Sequence, residues 1–418
     1  MPGVHTFYDG SLILQPLSNA IGIEIDKLNL VLCMATSLPL AYVYYKPMAR
    51  ASETVRLLFP TIIGILFCWF CFGGATKHLL ANILINYVLM HVSPDKYVHK
   101  VVFLFSMGYL TFIHFYRWKI LDVYYIDITG PLMVSVQKVT TMAFSLHDGR
   151  VKKPEELTPL QKKEAIREVP HILNYLSYVL HFQAVLTGPL CFYTDYMLFV
   201  KGEHIEKNSK GEAQPKISIM EYCFVNQANC PSNSNKRQAV TFYVYLAQEP
   251  SPIPTAFSKL YLSMFFVLMV ALVVPRFPVE ALDDENSYKM NTILWMILFW
   301  ITISMQRMQY YFAWYLADAI YNMSGFGFNG FDEEGEAKWD LATNVDAWRV
   351  ETAQSFKECL DPWNCTTMGW LRRVAFDRAP KRYRTLSTYL LSAWWHGFFM
   401  GYYLTFLTGA IMTLGGKG

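Results

Sequence analysis

The sequence contains few charged residues, which make up 17% of its 418 positions, against about 25% in an average soluble protein. Neither sign dominates, because the formal net charge is only +3, and no nucleic-acid partner is predicted. Hydrophobic residues make up 53% of the chain and aromatic residues 16%. This composition is more apolar than that of an ordinary soluble protein. Whether the protein is a membrane protein has to be decided from the lengths of its apolar runs.

Several motifs are also absent. The eight cysteines include no CxxC pair and no Cys/His pair with the spacing of metal ligands, so no metal site is predicted. The N-terminus has no basic segment followed by a short apolar core and a cleavage site, so no cleaved signal peptide is predicted. No internal repeat occurs. One long polar insert, residues 201–252, is interpreted as a flexible loop; its Cys223 and Cys230 can form a disulfide only if that loop is luminal.

Long apolar runs are present instead. A helix needs roughly 20 apolar residues to cross the hydrocarbon core of a bilayer. Whole or partial spans of this kind occupy residues 28–45, 57–72, 80–92, 101–115, 257–274, 292–304 and 386–414. They predict an all-α, polytopic membrane protein of about eight to ten hydrophobic helices, some of them tilted, short or re-entrant. Residues 1–418 are predicted to form a single membrane domain.

The basic residues in the short flanks predict the orientation of the chain, because cytoplasmic loops carry an excess of Lys and Arg. The loop after the first run contains Lys46, Arg50 and Arg56. The segment 372–384 contains six basic residues and a single acidic one. Both are therefore predicted to be cytoplasmic, and the acidic stretch 280–285 is predicted to be luminal.

A histidine interrupts the last apolar run. In LLSAWWHGFFMGYY, residues 390–403, His396 is the only acidic or basic residue. Such groups are costly in hydrocarbon and usually have a function, so a catalytic or ligand-binding histidine and a packing histidine are both open. Burial favours the neutral imidazole, which suits a general base. Ala393, Gly397 and Gly401 are four residues apart and predict a ridge of small residues on this helix, against which another helix can pack.

Other polar residues lie in apolar surroundings. Asn364, in LDPWNCTTMGWLRRV, precedes His396 by 32 positions and is a second candidate for the site. A polar set at residues 307–318, and a pair before Gly188-Pro189, have two open interpretations, the wall of a substrate tunnel or a buried network that holds helices together. These residues are Arg307, Gln309, Tyr310, Tyr311, Trp314 and Asp318, and His181 and Gln183.

Four segments together resemble the membrane-bound O-acyltransferase family, in its lysophospholipid acyltransferase branch. They are LSAWWHGFFMGYYLTFLTG, PWNCTTMGWLRRV, YYFAWYLADAIYNMSGFGFNGF with WDLATN, and QKVTTMAFSLHDG. The similarity extends from about residue 14 to 414 and is interrupted by the polar insert. The resemblance implies helices around a substrate tunnel in the endoplasmic reticulum membrane. It also implies transfer of a fatty acyl group from acyl-CoA, as co-substrate, to the free hydroxyl of a lysophospholipid, with lysophosphatidylethanolamine and lysophosphatidylserine favoured and no permanently bound cofactor.

The resemblance also assigns roles to residues. The family's invariant histidine falls on His396, which would take the proton of the attacking hydroxyl, and its conserved asparagine falls on Asn364, which would orient a substrate or donate to the developing oxyanion. A basic group is suitably placed for the phosphates of CoA, although its charge also fits plain positive-inside topology. This group consists of Arg372, Arg373, Lys381 and Arg382.

Two departures from the family pattern keep other functions open. Members of the branch have proline where Met400 stands, so the bend after the histidine is expected to differ. Members also continue with further spans, whereas this sequence ends at Gly418. A family-like protein without activity therefore remains an alternative. A transporter or channel is a further alternative, but the sequence lacks the inverted repeats that are typical of many transporters. The oligomeric state is left open.

Overall fold

The structure is a computed structural model, and it describes residues 8–120, 126–207, 213–215, 250–332 and 336–416. Cys223 and Cys230 lie outside the described residues. The helices are, in chain order, α1 (Gln15–Ile21), α2 (Ile25–Tyr45), α3 (Glu53–Phe72), α4 (Thr76–Val92), α5 (Val98–Ile120), α6 (Thr129–Val151), α7 (Pro159–Glu164), α8 (Ile172–Leu180), α9 (Tyr193–Lys201), α10 (Ile253–Leu272), α11 (Glu285–Tyr288), α12 (Thr292–Met323), α13 (Ala347–Glu351), α14 (Phe356–Leu360), α15 (Cys365–Val374), α16 (Arg384–His396) and α17 (Met400–Gly415).

The prediction of an all-α fold is confirmed. Two strands of three residues, β1 (Ile205–Lys207) and β2 (Ala213–Pro215), pair antiparallel at the start of the polar insert. Four stretches of the described chain are long and apolar enough to cross a membrane, namely Ile25–Tyr45, Glu53–Val92, Val98–Lys119 and Ile253–Asp283. They match the apolar runs predicted between residues 28 and 115 and at 257–274.

Helix α3 contains a proline, and neighbouring elements compensate for it. Pro60 has no N–H to donate to the carbonyl of Arg56, four residues earlier. The hydroxyl of Tyr44, on α2, donates to that carbonyl at 3.3 Å instead. The two helices are therefore joined at the point where the proline interrupts the backbone ladder.

Helix α3 also approaches the end of α8 very closely. Gly64 faces the backbone there, and a Cβ at this position would lie 1.7 Å from the carbonyl oxygen of Leu180. The N–H of Phe182 donates to the carbonyl of Pro60 at 3.1 Å. Helix α8 therefore ends at Leu180 against α3, and the following segment, which contains the Gly188-Pro189 bond, is not helical.

Arg56 is buried rather than part of a solvated basic flank. Its guanidinium donates to the carbonyls of Phe199 and Val200, at the C-terminal end of α9, at 3.1 and 2.6 Å. Carbonyls in the last turn of a helix lack intrahelical partners, which explains the contact. The positive charge of this loop that faces solvent comes from Lys46 and Arg50, which are exposed.

Helix α12 passes through two environments. Near its N-terminus Ile293 and Trp300 are exposed, as expected of a surface that faces lipid. Residues 316–323, at its other end, are all buried in the protein. Helix α10 packs along it, and Lys259 of α10 forms an ion pair of 2.7 Å with Asp318 of α12.

The prediction of a ridge of small residues on one helix in the run 386–414 is wrong. The run does not form one helix, because α16 ends at His396 and α17 begins at Met400. Gly397 has φ 119° and ψ −156°, a conformation outside the helical region that favours glycine. Ala393, Gly397 and Gly401 therefore do not form a ridge on one helix.

Candidate functional site

His396 is the last residue of α16, directly before the break. Its ring contacts Trp395 edge-on at 4.9 Å between centroids and stacks on Phe406 of α17 at 5.1 Å. Tyr402 lies at 5.3 Å. Among the described residues no hydrogen bond to either ring nitrogen occurs. A half-buried imidazole held by aromatic rings, with its nitrogens unused, is available to accept a proton.

The end of α16 is attached to α5 and α6 by its tryptophans. Trp394 Nε1 donates to Thr111 Oγ1 of α5 at 2.8 Å. Trp395 Nε1 donates to the carbonyl of Met133 in α6 at 3.2 Å. These bonds orient the residues immediately before His396.

His114, in α5, holds the backbone of the same turn. Its Nε2 lies 3.1 Å from the carbonyl oxygen of Trp395, and because a carbonyl only accepts, this nitrogen must donate. A Cβ at position 397 would lie 3.2 Å from the His114 ring. The sequence predictions did not include His114, although it lies in the apolar run 101–115 and the criterion applied to His396 would have found it.

Asn364 directly precedes α15 and has a left-handed backbone conformation, with φ 51° and ψ 49°. No other non-glycine residue in the described part of the chain has a positive φ. Asparagine tolerates this region better than most residues. Because such conformations persist only when the surroundings hold them, and cluster at functional sites, this supports Asn364 as a site residue.

A second asparagine, which the sequence predictions missed, holds Asn364 in place. An isolated bridge pairs Val345 with Trp363 in antiparallel fashion and so brings Asn344 beside Asn364. Asn344 is 3% exposed, and its Nδ2 donates to Asn364 Oδ1 at 3.1 Å. Its Oδ1 accepts from the N–H and the hydroxyl of Thr366 at 3.0 and 2.8 Å.

Helix α6 supports both candidate residues. Gln137 Nε2 donates to Thr367 Oγ1 of α15 at 3.0 Å, and Trp370 Nε1 of α15 donates to Thr140 Oγ1 at 3.0 Å. The carbonyl of Met133 binds Trp395, as described above. Positions 133, 137 and 140 lie on one face of a helix. The helices that carry Asn364 and His396 are therefore placed along the same face of α6, and the rings of Trp370 and Trp395 are 5.6 Å apart.

The four basic residues proposed for CoA divide into two groups. Arg373 is buried, donates to Ser145 Oγ at 2.8 Å and lies 3.9 Å from Asp148 Oδ2. Lys381 and Arg382 are exposed, and Arg372 is partly exposed. Lys381 and Arg382 can therefore meet a soluble anion directly. Arg372 is partly exposed and lies 3.7 Å from Asp377 Oδ1, whereas Arg373 contacts the protein interior.

The polar residues of α12 form a network with neighbouring elements. Arg307 forms two hydrogen bonds, of 2.7 and 2.5 Å, with Glu351 of α13, and Tyr311 donates to the same carboxylate at 2.6 Å. Burial raises the pKa of Glu351, but the hydrogen bonds from Arg307 and Tyr311 outweigh this effect and hold that pKa below its usual value. Asp318 is paired with Lys259. These contacts favour a network that joins helices over a tunnel wall for Arg307, Tyr311 and Asp318, whereas Gln309 and Tyr310 are exposed.

His181 is also part of a buried network. Lys138 Nζ donates to its Nε2 at 2.9 Å and to the carbonyl of Tyr178 at 2.9 Å. The other ring nitrogen of His181 lies 3.3 Å from Gln183 Oε1. Since both nitrogens are used, His181 has no free lone pair for catalysis, in contrast to His396.

Comparison with known proteins gives a consistent result. The model of the membrane-bound O-acyltransferase family matches residues 113–418. The chain is 38% identical to membrane-bound glycerophospholipid O-acyltransferase 1 of Mus musculus, over 98% of this chain and 79% of that protein. It is 38% identical to membrane-bound glycerophospholipid O-acyltransferase 2 of Gallus gallus, over 98% of this chain and 75% of that protein. A lysophospholipid acyltransferase of Saccharomyces cerevisiae is 26% identical, over 97% and 64% of the two chains.

Proposed function

Since the chain belongs to the membrane-bound O-acyltransferase family, we propose that it transfers a fatty acyl group from acyl-CoA to the free hydroxyl of a lysophospholipid. It is a multi-pass membrane protein, and we place it in the endoplasmic reticulum. The names of its relatives support a glycerophospholipid product. Lysophosphatidylethanolamine and lysophosphatidylserine are the proposed acceptors.

One observation carries the proposal: one face of α6 bonds both to Trp395, the neighbour of His396, whose ring nitrogens are unbonded, and to Thr367 and Trp370, in the helix that Asn364 precedes. An alcohol is a poor nucleophile, so a base that removes its proton during attack accelerates the reaction by about 10²–10⁴-fold. His396 is the base in this mechanism.

The steps balance as an acyl transfer. The hydroxyl oxygen of the lysophospholipid attacks the thioester carbonyl while His396 takes the hydroxyl proton. Asn364 donates to the carbonyl oxygen as it becomes negative, an interaction typically worth about 2.7–4 kcal/mol where water is excluded. The C–S bond then breaks, and the CoA thiolate takes the proton from the imidazolium. The diacyl phospholipid and free CoA are released.

The phosphates of CoA cannot enter hydrocarbon, so the nucleotide must stay at an aqueous face. Lys381 and Arg382 are exposed cations on the segment between α15 and α16, and Arg372, nine residues before Lys381 in α15, is partly exposed. We propose that these three bind the phosphates. Arg373 would act indirectly, through its contacts with Ser145 and Asp148 in α6.

The test is acyl transfer by the purified protein in lipid nanodiscs, with labelled oleoyl-CoA and a panel of lysophospholipids. We expect labelled diacyl phospholipid and free CoA in a 1:1 ratio. A protein of this family without activity, or a transporter, would give no diacyl product with any acceptor, and that result would overturn the proposal.

His396 variants test the base. His396→Gln keeps a hydrogen-bonding side chain without a basic nitrogen, and we expect it to lower kcat by about 10²–10⁴-fold with little change in KM for acyl-CoA. His91→Ala is the matched control, because His91 is exposed on α4 and should leave kcat unchanged. Wild-type turnover in His396→Gln would return His396 to a packing role.

A further inference from the structure

The amides of Asn344 and Asn364 are in contact, and their orientation can be deduced from the donors around them. The O and N atoms of an amide have nearly the same size, so their assignment has to follow from the hydrogen bonds. A backbone N–H is an unambiguous donor. The chain of bonds that starts at the N–H of Thr366 therefore fixes each amide in turn.

The N–H of Thr366 donates to the Asn344 side chain at 3.0 Å, so the atom that receives it is the oxygen. The nitrogen of Asn344 must then face Asn364, at 3.1 Å. An amide nitrogen only donates, so the atom of Asn364 in this contact is Oδ1. It follows that Nδ2 of Asn364 points away from Asn344.

This nitrogen is the free end of the pair. In the described part of the chain, no hydrogen bond from Asn364 Nδ2 occurs. The backbone supports the same arrangement, since the carbonyl of Asn344 accepts from the N–H of Cys365 at 3.0 Å and so holds Asn364 next to the start of α15. The oxygen of Asn364 is already occupied, and its two N–H groups are available.

We propose that Asn344 is a positioning residue for acyl transfer, which locks the Asn364 amide so that Nδ2, and not Oδ1, faces the reacting carbonyl oxygen. This inference rests on the proposed function. A reversed amide would place an oxygen with partial negative charge against the developing oxyanion. A preorganised donor would thereby become a source of repulsion.

Substitution of Asn344 by Asp and by Ala tests the orientation. In Asn344→Asp the new carboxylate would keep the two bonds from Thr366 but could not donate, so Asn364 would turn its nitrogen to the carboxylate and its oxygen to the substrate. We expect Asn344→Asp to lower kcat by about 10²–10³-fold with KM nearly unchanged. Asn344→Ala leaves the Asn364 amide free to rotate and should cost less. If Asn344 had a merely structural role, Asn344→Asp would lose less kcat than Asn344→Ala, because the aspartate preserves the shape and the bonds from Thr366. That result would overturn the inference.

The same change in the background of Asn364→Ala separates this effect from a direct effect of the added charge. If Asn344 acts through Asn364, Asn344→Asp should cost little further kcat once the Asn364 amide is absent. An equal loss in both backgrounds would show that Asn344 acts independently and would overturn the inference, while the proposed function would stand. Wild-type turnover in Asn364→Ala alone would instead refute the donor role of Asn364.

A second variant tests the orientation without changing Asn344. Asn364→Asp has the same shape and can still accept from Asn344, but it presents an oxygen to the substrate, so we expect it to lose as much kcat as Asn364→Ala. Full turnover in Asn364→Asp would overturn the inference. Thermal unfolding and gel filtration in detergent, compared with the parent protein, establish that each variant is folded.

Discussion

The turn that carries His396 depends on two residues that do no chemistry. His114 binds the carbonyl of Trp395, which lies in the last turn of α16 and lacks a helical partner. Gly397 supplies the conformation, with φ 119°, that ends the helix and leaves room for the His114 ring. The imidazole of His396 is thus fixed by its neighbours rather than by bonds to its own nitrogens.

Gly397→Ala should therefore disturb the site. The substitution requires a backbone conformation that costs an L-residue roughly 1–3 kcal/mol, and it places a methyl group 3.2 Å from His114. We expect a lower Tm and a fall in kcat. Gly401→Ala is the matched control, because this glycine lies in α17 with no atom within 4 Å of its would-be Cβ, and a gain in helix propensity should leave stability equal or higher. Equal behaviour of the two variants in both assays would contradict the role given to Gly397.

At the level of elements, hydropathy predicted where helices lie and failed to show how they end or meet. The run 28–45 lies in α2 (Ile25–Tyr45) and the run 57–72 lies in α3 (Glu53–Phe72). Such helices can be predicted because the thickness of the bilayer sets the length of the apolar segment that crosses it. The break at Gly397 is set by one backbone angle, which does not alter hydropathy. The contact of Asn344 with Asn364 depends on the path of residues 344–364, which has no periodic signal. Asn364 and His396 could be singled out from the sequence because polar residues stand out against apolar neighbours and match a family pattern, and their roles stay predictions.

The contact between α12 and α13 through Glu351 predicts a contribution to stability. Glu351→Gln removes the charge that Arg307 and Tyr311 bind, and we expect a loss of about 1.5–3 kcal/mol of stability, as for hydrogen bonds to charged groups. KM for the lysophospholipid should not change. Glu285→Gln, on an exposed carboxylate, is the control and should be neutral. A large change in KM without a change in Tm would favour the tunnel wall instead.

The stability from Glu351 should depend on pH. Since its pKa is lower in the folded protein than its usual value, the contribution is present above the usual glutamate pKa and is lost as the pH falls through the lowered one. The Tm of Glu351→Gln should therefore approach that of the parent protein in acid.

For the whole molecule, the distribution of charge predicts the sidedness of the membrane fold. Arg382→Cys, in the basic segment 372–384, should react with an impermeant thiol reagent from the cytoplasmic side of sealed microsomes. Glu285→Cys, at the end of the acidic stretch 280–285, should react only after the lumen is opened. The labelling of the parent protein, with its own cysteines, is the baseline. Reaction of Arg382→Cys from the lumen alone would invert the topology and remove the basic segment from the acyl-CoA side.

The length of α12 has a mechanical consequence. Its 32 residues span about 48 Å, whereas the hydrocarbon core is about 30 Å thick. The exposed apolar surface near the N-terminus of this helix is expected to face lipid. Its other end lies in the protein, where the hydroxyl of Tyr315 accepts from the N–H of Ala347 at 3.2 Å, three residues beyond Asn344. Hydrophobic mismatch tilts a helix, and a continuous helix transmits tilt along its whole length. We therefore expect a change of tilt in α12 to act, through Tyr315 and Ala347, on the segment that contains Asn344.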